Sequence, residues 1–368
     1  MPVPILAAVR SPFAPADGVL AGWHPIDLAM DVASVALDQA GLEPAAIDHV
    51  WVGCDEPVGA QGANAARALV LGAGWPEAIA GTVVEASPTS GMSALAAACD
   101  AVLAGRIGIG VVLGMASASV VQPGASALGR VYGRPWGDAP AARYADTGGL
   151  VPPIVAADRA AVQAGIDRAM QEAWAVGSIE RRSASPGAIS PVGARPGGSA
   201  AVQKGTPVVS DAIRAIAVEA LEPMFDPDGT TTAATFAPAA DGISVLIVAA
   251  DTTSDSRSPI GEVTETRIAA GSPFDPSEAV ARLRFDMATV DQATIAAGSA
   301  SIALLAERGL GSEGHPDPLG GTIAVGDAAA AEDLRLVVDG LAHADIGVRG
   351  LSVRAGAGAA AGCLWRRL

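Results

Sequence analysis

Few residues in this chain could act as a nucleophile or base. Cys54, Cys99 and Cys363 are its three cysteines, widely spaced and without a CxxC pair. That pattern argues against a disulfide framework or a structural zinc site and suits buried thiols. Lys204 is the sole lysine, so imine chemistry through a lysine amine has a single candidate. Hydroxyls cluster in "EASPTSGMS", where Ser87, Thr89 and Ser90 flank a strand-to-helix turn. Hydroxyls there are expected to cap orphan amides rather than to attack. Pro88 suits the first helical positions, where its missing N–H costs nothing. His315 lies in "GSEGHPDP", whose composition is that of an exposed loop.

These residues need a large scaffold, and 368 residues suffice for two or three packed domains. Half the residues are apolar, yet no run reaches the ~18 to 20 that a membrane helix needs. A soluble protein is expected. The N-terminus has no basic start followed by an apolar run, which makes the cytoplasm the expected location. A net charge of −16 disfavours nucleic acid and anionic membrane surfaces as partners.

Along the chain, short apolar runs alternate with helical patterns. "VPILAAVR", "DHVWVGCD", "GTVVEA" and "IGIGVVLGM" read as strands. Between them lie helices over "HPIDLAMDVASVALDQAGL", with Gly41 as C-cap, over "ANAARALVLGAG" and from Ser90 to Ala104. Such alternation predicts a parallel-rich α/β sheet covered by helices. From 121 to 240 the rhythm is lost, apart from one predicted helix over 156–175, and the stretch reads as an inserted loop domain. Alternation resumes over 241–368, with "GISVLIVAAD", "GEVTETRIAAG", a long helix from 276 to 310, a strand "GGTIAVG" and the helix "AAEDLRLVVDGLAHAD". Two α/β segments, 1–120 and 241–368, thus flank one insertion.

Five segments in order resemble the thiolases, the acetyl-CoA acyltransferases. They are "IDHVWVGCDEPVGAQGANAARALVLGAGWPEAIAGTVVE", "SGMSALAAACDAVLAGRIGIGVVLGMASAS", "FDPDGTTTAATFAPAADGISVLIVA", "DPLGGTIAVG" and the glycine-rich "RAGAGAAAGC". The resemblance implies a five-layered αβαβα fold of two pseudo-equivalent halves, with a loop domain over an acyl-CoA site. It also implies a dimer or tetramer, no covalently bound cofactor, and coenzyme A or acyl-CoA as ligand.

Thiolase chemistry needs a thiolate activated at a helix N-terminus, a second thiol, a histidine and an asparagine-held water. Matched to the family motifs, the nucleophile position falls on Pro88, the asparagine on Asp291 with Gln292 beside it, the histidine on Asp327 and the second cysteine on Arg354. A serine that contacts the pantetheine arm falls on Ala237. His315 offers a competing Gly-His-Pro match, but it precedes the segment that the family's histidine follows. If the alignment holds, Arg354 is expected to pair with Asp327 or Asp291 in the former catalytic pocket, because an unpaired buried charge is costly.

Three functions remain open at this point. The first is a non-catalytic binding or partner subunit, homomeric or paired with an active thiolase-type subunit. The second is an acyl-CoA enzyme of altered chemistry, such as a thiolase-fold aldolase, using Tyr132, Tyr144, Asp291, Asp327 or Lys204. The third is an active acyltransferase whose residues align differently.

Overall fold

The computed structural model describes residues 1–128, 137–147, 150–184, 220–224, 227–250, 258–311, 317–356 and 358–368. The first half begins with β1 (Val3–Arg10), the short β2 (Ala14–Pro15) and α1 (Pro25–Ala40). The ring of His24 accepts from Ile26 N at the start of α1, and Gly41 ends the helix at φ 61°, as the sequence predicts. β3 (His49–Gly53), α2 (Ala65–Gly72), β4 (Ala80–Val84), α3 (Ser90–Leu103) and β5 (Ile109–Ser117) follow.

Within 121–240, the described residues form α4 (Ala125–Leu128), α5 (Asp138–Arg143), α6 (Pro153–Gln163) and α7 (Arg168–Ala184). The single helix expected over 156–175 is therefore two. Gly165 turns the chain at φ 70°, and the Asp167 carboxylate accepts from Met170 N to start the next helix.

After the insertion comes β6 (Ala240–Ala249), which pairs between β5 and β1. It thus completes the first half, whereas the expected boundary at 241 placed it in the second. The second half then comprises β7 (Gly261–Ala270), α8 (Pro276–Ala281), β8 (Gln292–Ala296), α9 (Ala300–Leu310), α10 (Gly321–Val325), α11 (Ala329–His343), β9 (Arg349–Gly356) and β10 (Ala359–Arg367). Two expectations fail here. The long helix over 276–310 is interrupted by β8, because "QATIA" pairs in parallel with β9, Gln292 opposite Gly350 through Ala296 opposite Arg354. The segment "GGTIAVG" is helical rather than extended, and α10 packs against α7.

The strand order is β4-β3-β5-β6-β1-β7-β10-β9-β8, with β2 beside β6. The sheet is mixed rather than parallel-rich. Only β3/β4, β3/β5 and β8/β9 are parallel among the described pairs. The remainder are antiparallel, because β10 pairs back along β9 from Ala359 opposite Gly356 and β6 comes back beside both β5 and β1. The halves nevertheless repeat one pattern. β3-β5-β6-β1 runs parallel, antiparallel, antiparallel, and so does β8-β9-β10-β7. β1 and β7 join the halves over Val3–Ile5.

Alternation along the strands creates the layers. In β5 and β6, Val111, Leu113, Met115, Val245 and Ile247 face a core shared with α1 and α2, whereas Val112, Leu246 and Val248 face α3 and α11. In β9, Leu351, Val353 and Ala355 face a third core with α8 and α9. The order is α1/α2, sheet, α3/α11, sheet, α8/α9, a five-layered αβαβα arrangement with α3 and α11 in the middle.

The middle layer is tight. A Cβ on Gly114 would lie 2.1 Å from the Ala330 carbonyl oxygen of α11, and one on Gly91 would lie 2.2 Å from the same atom. Backbone cannot yield that far without moving the helix. Gly114→Ala is accordingly expected to cost at least about 1–3 kcal/mol. Urea unfolding of the variant checks this, and an unchanged midpoint would contradict the packing described.

Candidate functional site

Where α3 begins, its free amides are met by a distant carboxylate. Gly91 N and Met92 N donate to Asp333 Oδ2 at 3.0 and 3.3 Å. Thr89 holds the N-cap position but makes no side-chain cap bond. Its hydroxyl donates to Ala86 O and lies 3.3 Å from Ser93 Oγ. The Ser90 hydroxyl accepts from Ala86 N and bonds the Asp55 carboxyl. The hydroxyls thus brace the turn, while Asp333 caps the helix. Pro88 precedes the N-cap, outside the helix, through a cis Ser87–Pro88 peptide. Its ring packs on Gly356, where an added Cβ would fall 2.4 Å from Pro88 Cγ.

Arg354 reaches this turn from β9. Its neighbours Val353 and Ala355 face the outer core, so alternation directs Arg354 to the middle layer, as it does Ser352. Arg354 Nε donates to Pro88 O at 3.1 Å and lies 3.4 Å from Asp333 Oδ1, while Nη2 donates to Asp327 Oδ2 at 3.1 Å. Its side chain is 6% exposed. Burial works against its charge, but Asp327, Asp333 and Asp55 outweigh that and hold the guanidinium above its ordinary pKa. Burial pushes the Asp333 carboxyl well up, against the pull of Arg354, and raises Asp55 in the same way.

Of the two partners expected for Arg354, Asp327 is the one it meets. Asp291 is exposed just before β8, where Oδ2 accepts from Arg349 N at 2.8 Å. Gln292 begins the same strand. The end of β8 opposite Arg354 is Ala296, roughly 15 Å further along at about 3.3 Å per residue. Next to it, a Cβ on Gly298 would sit 3.4 Å from Asp327 Oδ2. The match that placed the asparagine on Asp291 therefore falls at the wrong end of the strand.

Pro88, Asp327 and Arg354 line a cavity of about 520 Å³, together with Asp55, Glu56, Gln61, Ser87 and an apolar wall that includes Met115, Val121 and Phe236. Ala237 also lines it; Thr89 and Ser90 do not, and both are buried. Most of its polar groups are satisfied by the protein. Glu56 accepts from Gly124 N and Ser126 N at 2.6 and 2.8 Å, Gln61 Oε1 accepts from Ser117 N at 2.7 Å, and Asp327 Oδ1 accepts from Ala329 N at 2.9 Å. Two buried atoms among the cavity side chains have no hydrogen-bond partner, Asp55 Oδ1 and Arg354 Nη1.

Sequence reasoning passed over Asp55, Glu56 and Asp333. Asp55 and Glu56 had a signal, as adjacent acids just past the carboxyl end of a parallel strand, where α/β folds place ligands. Asp333 had none. Tyr132, Lys204 and His315 lie outside the described residues. Tyr144 stands edge-on to Phe274 at 5.4 Å and does not line the cavity. All three cysteines are buried and free, and none lines the cavity. Burial pushes the Cys54 and Cys99 thiols up to about 12 and Cys363 well above its usual value.

Two repeated α/β halves around a central helix pair, with a largely apolar cavity beside a buried charge cluster where those helices begin, define a thiolase fold. The chain belongs to the thiolase family: the family model for the thiolase N-terminal domain matches residues 3–252. It is 28% identical over 369 residues to a β-ketoadipyl-CoA thiolase of Pseudomonas aeruginosa, covering 92% of this chain and 91% of that one. Over 130 residues, 35% of this chain and 32% of the relative, it is 32% identical to a steroid 3-ketoacyl-CoA thiolase of Mycobacterium tuberculosis. A crystal structure of an Ascaris suum thiolase in complex with coenzyme A superposes with a TM-score of 0.83 at 22% identity, over the whole of both chains.

Removing Arg354 strands two acidic partners. Arg354→Met is expected to destabilise the fold by about 3–5 kcal/mol, with partial recovery in Arg354→Met/Asp333→Asn. Urea unfolding of both variants reads this, and additive losses would contradict the pairing. The thiols give a second check. With pKa values near 12, fewer than about one in a thousand of Cys54 or Cys99 is thiolate at pH 8. Iodoacetamide is expected to label no cysteine in the native protein and all three in denaturant.

Proposed function

We propose that this protein binds a coenzyme A thioester in the cavity beside Arg354 and does not transfer its acyl group through a cysteine. One observation carries the reading: the cavity is lined without a thiol, although all three cysteines of the chain are accounted for elsewhere. A thiolate nucleophile needs a helix N-terminus or a cation to lower its pKa. Here Asp333 already takes the amides of α3, and Arg354 is held between Asp327 and Asp333. The names of its relatives, thiolases acting on β-ketoadipyl-CoA and on steroid 3-ketoacyl-CoA, support a coenzyme A thioester as the ligand class.

On this reading the protein serves acyl-CoA metabolism as a binding or partner subunit, in a homo-oligomer or beside an active thiolase-type subunit. A second reading, acid–base chemistry on the same ligand, is favoured by Asp55. This carboxyl lines the cavity, is shifted upward by burial, and has one oxygen that no protein group occupies.

Calorimetric titration with acetoacetyl-CoA, followed by intact-mass analysis of the same sample, tests the proposal. Saturable binding without a mass increase is expected. A stable acyl adduct on any cysteine would overturn it.

A further inference from the structure

Several polar groups in the wall of the cavity are already answered by the protein. Glu56 accepts from Gly124 N and Ser126 N, and Asp327 from Ala329 N and Arg354 Nη2. Gln61 uses both ends of its amide, Oε1 for Ser117 N and Nε2 for the Glu56 carbonyl at 3.0 Å. Much of the remaining lining is apolar, with Met115, Val121 and Phe236 beside alanines such as Ala237 and Ala239. The charge of the wall is one-sided. Asp55, Glu56 and Asp327 stand against Arg354, the one cationic side chain among the described lining residues. Arg354 Nε donates to Pro88 O and lies 3.4 Å from Asp333, while Nη2 donates to Asp327. That side chain is 6% exposed, so its charge is balanced from within and shows little surface to a ligand.

We infer that the cavity admits an uncharged aliphatic acyl chain and rejects one that ends in a carboxylate. This rests on the reading of the cavity as a thioester site and names the acyl class it takes. A volume of about 520 Å³ falls within the range of small-molecule sites and leaves room for a chain of several carbons. An aliphatic chain laid on this wall removes both surfaces from water. Each buried methylene then contributes about four-fold in affinity, equivalent to about 0.8 kcal/mol. A terminal carboxylate meets the opposite conditions. It would leave water for a wall that carries three acids and whose cation is already held by Asp327 and Asp333. A charge buried without a partner of its own is costly, and here the nearest fixed groups are of like sign.

The experiment compares butyryl-CoA, hexanoyl-CoA and adipoyl-CoA by calorimetry on the full chain, so that length and charge vary separately. Hexanoyl-CoA is expected to bind roughly fifteen-fold more tightly than butyryl-CoA, for two further methylenes. Adipoyl-CoA has the same six acyl carbons and is expected to bind more weakly than butyryl-CoA. In Val121→Arg, checked for an unchanged thermal midpoint, the wall gains a cation, and the ratio of hexanoyl- to adipoyl-CoA affinity is expected to fall roughly ten-fold. Adipoyl-CoA binding as tightly as hexanoyl-CoA in the unaltered protein, or equal affinity for all three esters, would overturn the aliphatic assignment and leave thioester binding standing. Failure of every ester to bind would overturn both. A ratio unmoved by the added cation would overturn the charge of the wall as the basis of selection.

Discussion

A carboxylate in a dry interior has to be answered by donors, and the middle layer of this protein is organised by the answer given to Asp333. One of its oxygens takes two amides at the start of α3, and the other faces Arg354 of β9. That side chain therefore ties α11, which carries it, to α3 and to the second half of the sheet. The same helix continues the pattern inward. Arg335 bridges Glu332 and Asp339 at 2.6 and 2.8 Å, Asp339 takes Arg10 of β1 at 2.6 Å, and Glu332 receives the Thr322 hydroxyl of α10. Burial alone would raise the Asp339 carboxyl, but Arg10 and Arg335 hold it below its ordinary value. Every residue of α11 from Ala330 to Leu341 is buried, so these charges are internal fasteners between layers.

The site follows from that arrangement and from strand alternation. Because Leu351, Val353 and Ala355 belong to the outer core, Ser352 and Arg354 must point to the middle. Ser352 is used structurally, accepting from Trp365 Nε1. Arg354 emerges where the helix pair begins, and it brings Pro88, Asp327 and Asp333 to one place. The cavity opens beside this cluster, between it and an apolar wall that includes Met115, Val121 and Phe236.

Much of this was legible in the sequence, and the failures have physical causes. The two-half organisation and the strand preceding α3 followed from segments of alternating strand and helix, although the boundary at 241 left β6 on the wrong side. The grouping of Pro88, Asp327 and Arg354 came from the resemblance to thiolases and not from periodicity. Asp291 and Gln292 were singled out by a motif match to "DQAT", and reading 276–310 as one helix hid that this stretch opens β8, whose far end is the one that meets Arg354. The "AAEDLRLVVDGL" stretch holds charges spaced as on a solvated helix, so sequence patterning cannot tell an internal ion chain from a surface one. Nothing local signals that residue 333 caps a helix beginning at residue 90. Asp55 could have been singled out by its place at the end of a parallel strand, but its unpartnered oxygen is a property of the packed cavity.

The capping of α3 by Asp333 also bears on how freely this protein could change. Helix amides that would otherwise draw an anion towards the turn at residue 88 are already discharged from within, and the nearest cation is shared by two acids. A cysteine arising at position 88 would enter a field with little left to stabilise a thiolate. Single steps in either direction, a thiol without removal of Asp333 or removal of Asp333 without a new anion, each leave a group stranded. The local sequence is held in place by residues more than two hundred positions away, so a change at this turn is also a change in the surroundings of Asp333 and Arg354.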